Sequence, residues 1–469
     1  MKSASWSIMI VLVFISWPGP GLSEEGQPSQ LTIEQAVGLA LKQSPQIRGA
    51  DFEIAAFDAQ RKIARSRFGP VLQLELRALF YNAPPSIGGG SMSEEDLAGL
   101  QQLAGTDPFD NAMIQMFNGL PSMFESEKYD FNTTVRVVQP LTQLYAIYHG
   151  YKLSELGVDV AQVAKTRAED DLAYRVRETC LRILQVQAGV RALEQAEQTV
   201  AVHVERAGHF LDSGLIGRND VLQAKARLAG LRGDLLAARH GAKLARANLA
   251  MLLAMPADSQ IEVTEPSLNL DTHQSLSLAK AQALAAAQRP ELQELNLRMN
   301  QADHGVKAAW SGHIPQVSAI AMYQHNEGSL MKPPAWTGGL MLTWNVWEWG
   351  ATHYGIEAAE ANRMRVATAK EELIRGIQLQ VHSAWLKIQE SRERIEIVKT
   401  ELTQAEEQLR IEQELYEQQQ NTSTDVLDAQ SRLTGALVKR DSAQYEYMIA
   451  LAALHKALGR REAMFGGPE

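Results

Sequence analysis

The amino-acid sequence predicts a mainly α-helical chain with a membrane β-barrel portion, built as two tandem repeats. Three observations predict this class. The order of elements occurs twice, each copy contains two segments of about ten residues with a period of two, and the first copy contains a proline-free stretch long enough for a helix of roughly 100 Å. Four strands cannot close a barrel alone, so the chain is expected to close one as a trimer.

The duplication is visible as two ungapped alignments of the chain with itself. Residues 31–70 align with residues 276–315, and residues 220–228 align with residues 425–433. Self-similarity over this length indicates two repeats of roughly 200 residues, each a complete structural unit.

The expected boundaries follow from this alignment and from composition. Lys2, an apolar stretch and Gly21-Leu22-Ser23 are typical of a secretory signal. We therefore expect a signal peptide (1–23), a first repeat (24–256), a linker (257–275), a second repeat (276–460) and a tail (461–469). The first repeat contains a β-hairpin at about 71–139 with an inserted loop (82–128) and a helical hairpin at about 144–255; the second contains a β-hairpin at about 316–347 and a helical hairpin at about 350–458.

The opening helix of the first repeat, 32–68, ends before Pro70, with Pro45 as an early break point. The segments 71–81 and 129–139 then alternate between an apolar and a polar or charged face, which is typical of barrel strands with lipid outside and water inside. A half-buried strand of a soluble sheet has a similar alternation, so the pattern alone leaves both open. The predicted lumen-facing residues are Gln73, Glu75, Arg77, Asp130, Asn132 and Arg136.

The strands of the second copy, 316–326 and 336–347, alternate less regularly. Trp336, Trp344 and Trp347 lie near the ends of the second segment, where an interfacial aromatic girdle or a tryptophan-rich core would both place them.

In the long helices, apolar residues spaced by three and four predict coiled-coil seams. These seams comprise Val190, Leu193, Val200, Val204, Ala207 and Leu211, and in the second copy Ile395, Val398, Leu402, Ala405, Leu409 and Tyr416.

Composition excludes several function classes. A net charge of −10 and 6% aromatic residues disfavour a nucleic-acid partner, and the single Cys180 allows no internal disulfide. The sequence contains no Walker-type glycine loop, no zinc-protease motif and no cysteine pair, so we expect no enzyme activity, metal or cofactor.

Three copies of the chain would supply twelve strands and leave a lumen, whereas two would supply eight and a filled interior.

These features resemble the TolC family of outer membrane efflux proteins over residues 31–460. The likeness lies in the duplicated order of elements, in Pro70 and Pro315 between helix and strand, and in residues 425–430 after a helical turn. It implies a trimeric twelve-stranded barrel in the cell outer membrane, continued by a helical tunnel in the periplasm. It implies a passive channel of a tripartite efflux or type I secretion system. The implied partners are outer membrane lipid, a periplasmic adaptor (membrane fusion) protein and an inner-membrane pump of RND, ABC or MFS type.

The resemblance also assigns residues at the tips of the helical hairpins. The adaptor-docking tips fall on Gly214, Leu215 and Ile216 in the first hairpin and on Gln419, Asn421 and Thr422 in the second, and the periplasmic gate falls on Asp425 and Asp428. The second tip has Gln419 in place of the usual glycine and Asn421 in place of a basic latch residue. Helix capping is an alternative role for the two aspartates, because carboxylates favour a first helical turn.

The remaining alternative is a soluble periplasmic coiled-coil scaffold or adaptor. Such a protein would share the coiled-coil seam but would not need amphipathic strand pairs in both repeats. The sequence therefore favours the outer membrane channel.

Overall fold

The computed structural model describes residues 29–82, 128–266, 277–327 and 335–460, with a few isolated residues between 95 and 114. The predicted signal peptide, the predicted tail and nearly all of the inserted loop 82–128 lie outside the described residues, as does part of the linker. Among the described residues, no helix has both the length and the apolar content that crossing a bilayer requires.

The predicted mainly α-helical fold with paired strands in each repeat is confirmed. The first repeat comprises β1 (Ser29–Leu31), α1 (Ile33–Gln43), α2 (Pro45–Ser66), β2 (Val71–Phe80), β3 (Tyr129–Pro140), α3 (Leu144–Asp212) and α4 (Arg218–Leu252). The linker contains β4 (Ile261–Val263). The second repeat comprises α5 (Leu278–Gln288), α6 (Pro290–Trp310), β5 (Gln316–Glu327), β6 (Trp336–Thr343), α7 (Ala351–Glu417) and α8 (Ser423–Leu458).

A proline divides the opening helix of each repeat into two. Pro45 and Pro290 stand at the first position of α2 and α6, where the missing N–H of proline costs no helical hydrogen bond. Ser44 ends α1 and caps α2, because its Oγ accepts a hydrogen bond from the Gln46 amide at 3.2 Å. The break at Pro45 therefore redirects the chain without leaving the new helix end unsatisfied.

The four longer strands form one antiparallel sheet in the order β2-β3-β5-β6. The pairing within each repeat is a hairpin, and β3 joins β5 to connect the two repeats. β2 and β6 are the edges of the sheet. The short strands β1 and β4, which the sequence did not predict as a pair, align in parallel beside the helices.

The predicted strand 336–347 is wrong at its end, because β6 stops at Thr343. Its neighbour β5 begins at Gln316, opposite Thr343, and the preceding Pro315 has no N–H to donate. Beyond Thr343 the chain therefore lacks a partner strand. It turns instead into α7, where Glu348 accepts a hydrogen bond from the Thr352 amide at 2.9 Å.

α3 is the helix on which both repeats pack. It has 69 residues and a length of roughly 100 Å. It contacts α1, α2 and α4 of the first repeat and α6 and α8 of the second. The main apolar core surrounds its middle third, where Val176, Leu181 and Ile183 are fully buried. Burial raises the pKa of the neighbouring Cys180 thiol to about 12, which leaves it an inert apolar side chain.

The predicted coiled-coil seams are buried to different extents in the two repeats. In α7 the period of seven is clear, with Ser391, Val398 and Ala405 all buried. In α3 only Val200 and Ala207 of the predicted seam are buried. The other buried residues in this half of the helix include Ala188, Ala192, Ala196 and His203. Alanines at this spacing let the neighbouring helices approach α3 closely.

Both helical hairpins reverse through the same turn, although only one has glycine there. Gly214 and Gln419 follow their helices with φ of +72° and +60°. The Leu215 amide donates to the Phe210 carbonyl at 2.8 Å, and the Gln420 amide donates to the Leu415 carbonyl at the same distance. These are the closing hydrogen bonds of a left-handed helix cap, a backbone conformation that glycine adopts without strain.

We expect the substitution Gln419→Gly to stabilise the second hairpin by about 1 kcal/mol, because a side chain in the left-handed region costs about that much. The reciprocal change Gly214→Gln should destabilise the first hairpin by a similar amount. Thermal unfolding of the purified protein in detergent measures both. Equal and opposite shifts support a shared turn, whereas a loss of stability in Gln419→Gly would show that the glutamine side chain itself stabilises the tip.

Candidate functional site

The first candidate surface is the polar face of the sheet. The strand register places Gln73 opposite Arg136 and Arg77 opposite Asn132, with Asp130 two residues along the same face. All six residues predicted from the alternation, including Glu75, therefore share one face. Glu75 and Asp130 balance Arg77 and Arg136, so the described part of this face carries no net charge.

Side-chain hydrogen bonds cross this face from β3 to β5. The amide of Asn132 donates to Asn326 Oδ1 at 2.5 Å, and Thr134 Oγ1 donates to Asn132 Oδ1 at 2.8 Å. Arg77 lies 3.9 Å from Asp130 in the neighbouring strand. Sequence reasoning missed Asn326 because β5 does not alternate regularly, and only its pairing with β3 shows which face Asn326 occupies.

The opposite face of the sheet is apolar and exposed. Leu72, Leu74 and Leu76 of β2 are each at least 65% exposed, and Leu340 and Leu342 of β6 have comparable exposure. Large apolar side chains in such a contiguous area indicate a surface that contacts an apolar partner.

Aromatic residues lie below this apolar face, where β6 gives way to α7. Trp347 and Trp349 are 75% and 84% exposed, and their rings meet edge to face at 5.7 Å. Trp349 has a φ of +53°, which is unusual for a residue with a large side chain. Trp336 lies at the other end of β6, so exposed tryptophans flank the apolar face on both sides.

The second candidate surface comprises the tips of the two helical hairpins. In the first tip Leu215 is 48% exposed and Ile216 is half-buried, so both apolar side chains reach the surface near Gly214. In the second tip Asn421 is held within its own hairpin, because its amide donates to the Glu412 carbonyl at 3.0 Å and to Glu412 Oε2 at 2.6 Å. The Asn421 amide is therefore used within its own hairpin.

The two predicted gate residues differ in their contacts. Asp425 Oδ2 accepts hydrogen bonds from the Thr422 amide at 2.9 Å and the Thr422 hydroxyl at 2.7 Å. These bonds lower the pKa of the Asp425 carboxyl. Asp220 occupies the same position in the first hairpin and accepts from the Gly217 amide at 3.2 Å. Asp425 and Asp220 therefore cap the first turns of α8 and α4 in the same way.

Asp428 lies one turn further along α8 and is exposed. It forms no hydrogen bond or ion pair with any residue that the structure describes. The aligned position in the first hairpin is Gln223, which accepts a hydrogen bond from Thr424 Oγ1 at 2.6 Å. The acidic group at 428 is therefore specific to the second hairpin and is not required for capping.

Two polar contacts join the two hairpins just above the tips. His203 Nε2 and Ser423 Oγ lie 2.7 Å apart, and both residues are buried. Burial, and then the charge of Arg206, lowers the pKa of His203, which favours the neutral ring. Arg206 also forms an ion pair with Glu417 at 2.7 Å. Sequence reasoning missed these contacts because each one joins residues from different repeats.

A sequence model of the outer membrane efflux protein family matches residues 36–255 and 282–460, which correspond to the two repeats. A comparison with curated protein sequences finds no match.

Among the described residues, no three histidine, cysteine or carboxylate side chains form a group that could hold a metal ion.

Several solved structures share the fold. CusC has a TM-score of 0.76 at 15% identity, with 94% of this chain and 96% of that chain covered. The outer membrane protein VceC from Vibrio cholerae has a TM-score of 0.72 at 17% identity, covering 91% and 96%. The CmeC outer membrane channel from Campylobacter jejuni has a TM-score of 0.74 at 15% identity, covering 95% and 93%. At these identities the similarity concerns the fold.

The two aspartates are expected to differ in their effect on stability. Asp425→Ala should lower the melting temperature, because the Thr422 amide and hydroxyl lose their acceptor. The lowered pKa means that this contribution is present above pH 3.8 and is lost as the pH falls through the folded-state pKa. Asp428→Ala should leave the melting temperature unchanged. Equal destabilisation by both variants would contradict the assignment of capping to Asp425 alone.

Proposed function

Because the chain belongs to the outer membrane efflux protein family, we propose that it is a passive trimeric conduit in the outer membrane, part of a tripartite efflux or type I secretion system. The observation that carries the proposal is the amphipathic four-stranded sheet with both edges open. β2 and β6 have no further neighbour strand among the described residues. An open edge facing lipid would leave backbone groups without hydrogen bonds, which costs several kcal/mol per group.

Pairing of β6 with β2 of a second copy would remove both edges, and three copies would give twelve strands around a lumen. In this arrangement the apolar face with Leu74 contacts lipid and the face with Gln73 lines the lumen. Trp336, at one end of β6, and Trp347 beyond the other would then lie at the two membrane interfaces, where tryptophan is enriched. The soluble scaffold alternative leaves this exposed apolar face without a partner.

The helical part would extend about 100 Å from the membrane into the periplasm, because α3 and α7 both run away from the sheet. The tips would therefore meet a periplasmic adaptor, with Gly214, Leu215 and Ile216 of one hairpin and Gln419, Asn421 and Thr422 of the other as the docking residues. No nucleotide-binding motif occurs in the sequence, so an inner-membrane pump of RND, ABC or MFS type would supply the energy.

The entrance is proposed to lie at the second tip, with Asp425 and Asp428 as its acidic residues; Asp428 is the one that does not also cap α8. In a threefold assembly Asp428 would occur three times around the axis, and such a ring attracts cations. The contacts of His203 with Ser423 and of Arg206 with Glu417 would hold the second hairpin against the first. Opening the entrance would then require these contacts to separate.

Leu74→Arg is expected to prevent stable assembly, because an arginine on the lipid face costs about 2–4 kcal/mol near the membrane midplane. The measurement is the amount of heat-labile trimer extracted from the outer membrane fraction. Glu75→Arg is the matched control, since it introduces the same side chain at the adjacent position on the other face, and Gln73→Ser should also be tolerated.

The opposite pattern, with Leu74→Arg assembled and Glu75→Arg absent from the trimer, would show that the lipid and lumen faces are interchanged. Recovery of wild-type protein only as a soluble monomer would instead support the scaffold alternative.

Asp428→Asn is expected to reduce both the preference for cations and the block by multivalent cations in planar-bilayer recordings, by several-fold, because three carboxylates leave the entrance. The trimer should still form, since Asp428 does not cap α8. Asp234→Asn on the exposed surface of α4 is a control that removes one charge far from the tip. Unchanged selectivity in Asp428→Asn would exclude Asp428 from the entrance.

A further inference from the structure

Two histidines face each other where the first repeat meets the second, beneath the sheet. His149 lies in the second turn of α3, and His304 lies in the second half of α6. Their Nδ1 atoms are 2.8 Å apart, with ring centroids 5.1 Å apart, so the rings meet through their nitrogens rather than by stacking. His149 is 6% exposed, and Tyr145 and Tyr148 pack against the sides of its ring.

A contact between two Nδ1 atoms at this distance depends on the number of protons that the pair carries. One Nδ1 must donate and the other must accept, which is satisfied when both rings are neutral or when only one is protonated. If both rings are protonated, both Nδ1 atoms are donors and two positive charges face each other at 2.8 Å. The hydrogen bond is then lost, and repulsion separates the rings.

The surroundings of the pair favour its neutral form. Lys307 and Lys152 lie near the rings, and together with burial they oppose protonation of His304. The nearby carboxylates Asp303 and Glu155 act in the opposite direction on His304, but burial and the lysines outweigh them. Each carboxylate is also paired with a cation: Asp303 with Arg363 of α7 at 2.6 Å, and Glu155 with Lys152 at 2.5 Å.

α2, the remaining helix packed against this part of α3, brings the Arg61 cation close to Glu155, and Arg61 pairs with Asp58 at 2.5 Å. Burial is the largest influence on both histidines, and it lowers both pKa values below 6.5.

We propose that His149 and His304 form a proton-sensitive joint that holds α6 against α3 at neutral pH and releases it when mild acid protonates both rings. The joint connects the two repeats directly below the strands, so its release would loosen the link between the helical body and the sheet.

The direction of the pH effect follows from the lowered pKa values. Between the folded-state pKa and the ordinary value of 6.5, the unfolded or locally opened chain binds more protons than the closed pair. The stabilisation by the joint is therefore complete above pH 6.5 and is lost as the pH falls through the folded-state pKa values. Because the two sites interact, the pair titrates as one unit.

Hydrogen–deuterium exchange of the full-length protein in detergent, at about pH 7.5 and about pH 5 and corrected for intrinsic exchange, tests the proposal. Amides of α6 around His304 should exchange about tenfold faster in acid, because local opening takes up protons. His304→Asn should abolish this increase, since the asparagine amide lies near the former Nδ1 position and can still donate to His149. His149→Asn is a second variant with the same expectation.

Two controls distinguish protonation of the His149–His304 pair from protonation of other groups. His382→Asn removes an exposed histidine of α7 and should leave the acid response of α6 unchanged. Peptides that contain His203 report the acid response of the tips, which His304→Asn should not alter.

Unchanged exchange of α6 in wild-type protein at acid pH would overturn the proposal. So would a wild-type acid response in both asparagine variants. Addition of Zn²⁺ at neutral pH should have no effect, because two nitrogens bound to one tetrahedral zinc lie about 3.3 Å apart, farther than in this pair. If Zn²⁺ slowed amide exchange in α6 of the wild-type protein but not in His304→Asn, the two rings would hold a metal ion. That result would overturn the proton-sensitive joint.

Discussion

The rest of the structure depends on burial of the middle of α3. This helix contacts α1, α2 and α4 of its own repeat and α6 and α8 of the second repeat. The main core around it includes Tyr445 and Met448 of α8, so the first repeat does not bury its apolar surface alone. Arg177 is buried beside this core and donates two hydrogen bonds to Glu34 at 3.1 and 2.9 Å. Such a buried cation requires a paired carboxylate.

Much of this fold can be predicted because its main signals are local. The long proline-free stretch after Pro140 predicts a very long helix, and the predicted bounds of about 144–212 agree with α3. The alternation in the first copy predicts β2 and β3 within one residue. The end of β6 could not be predicted in this way, because it depends on where β5 begins to offer a partner. The pairing of β1 with β4 is equally non-local, since it joins a three-residue segment at the start of the first repeat to one in the linker.

The candidate site was predictable to a smaller extent. Alternation identified the polar residues of β2 and β3, since one face of a regular strand can be read from its own sequence. It could not identify Asn326, whose face depends on pairing with β3. At the tips, comparison of the repeats is more informative than either tip alone. Asp220 and Asp425 share a capping role, whereas Asp428 stands where the first repeat has Gln223, and only a difference of this kind can mark a role specific to one hairpin.

Side chains that meet across the two repeats form a class that duplication cannot predict. A duplicated backbone places equivalent turns and helices, but a contact such as His203 with Ser423 joins positions that are not equivalent. His149 and His304 are likewise unrelated by the repeat. Each partner at such an interface can change without disturbing the fold of its own repeat. Interfaces between repeats are therefore where a duplicated chain can acquire contacts sensitive to charge. Two buried histidine contacts among the described residues lie there, one beneath the sheet and one above the tips.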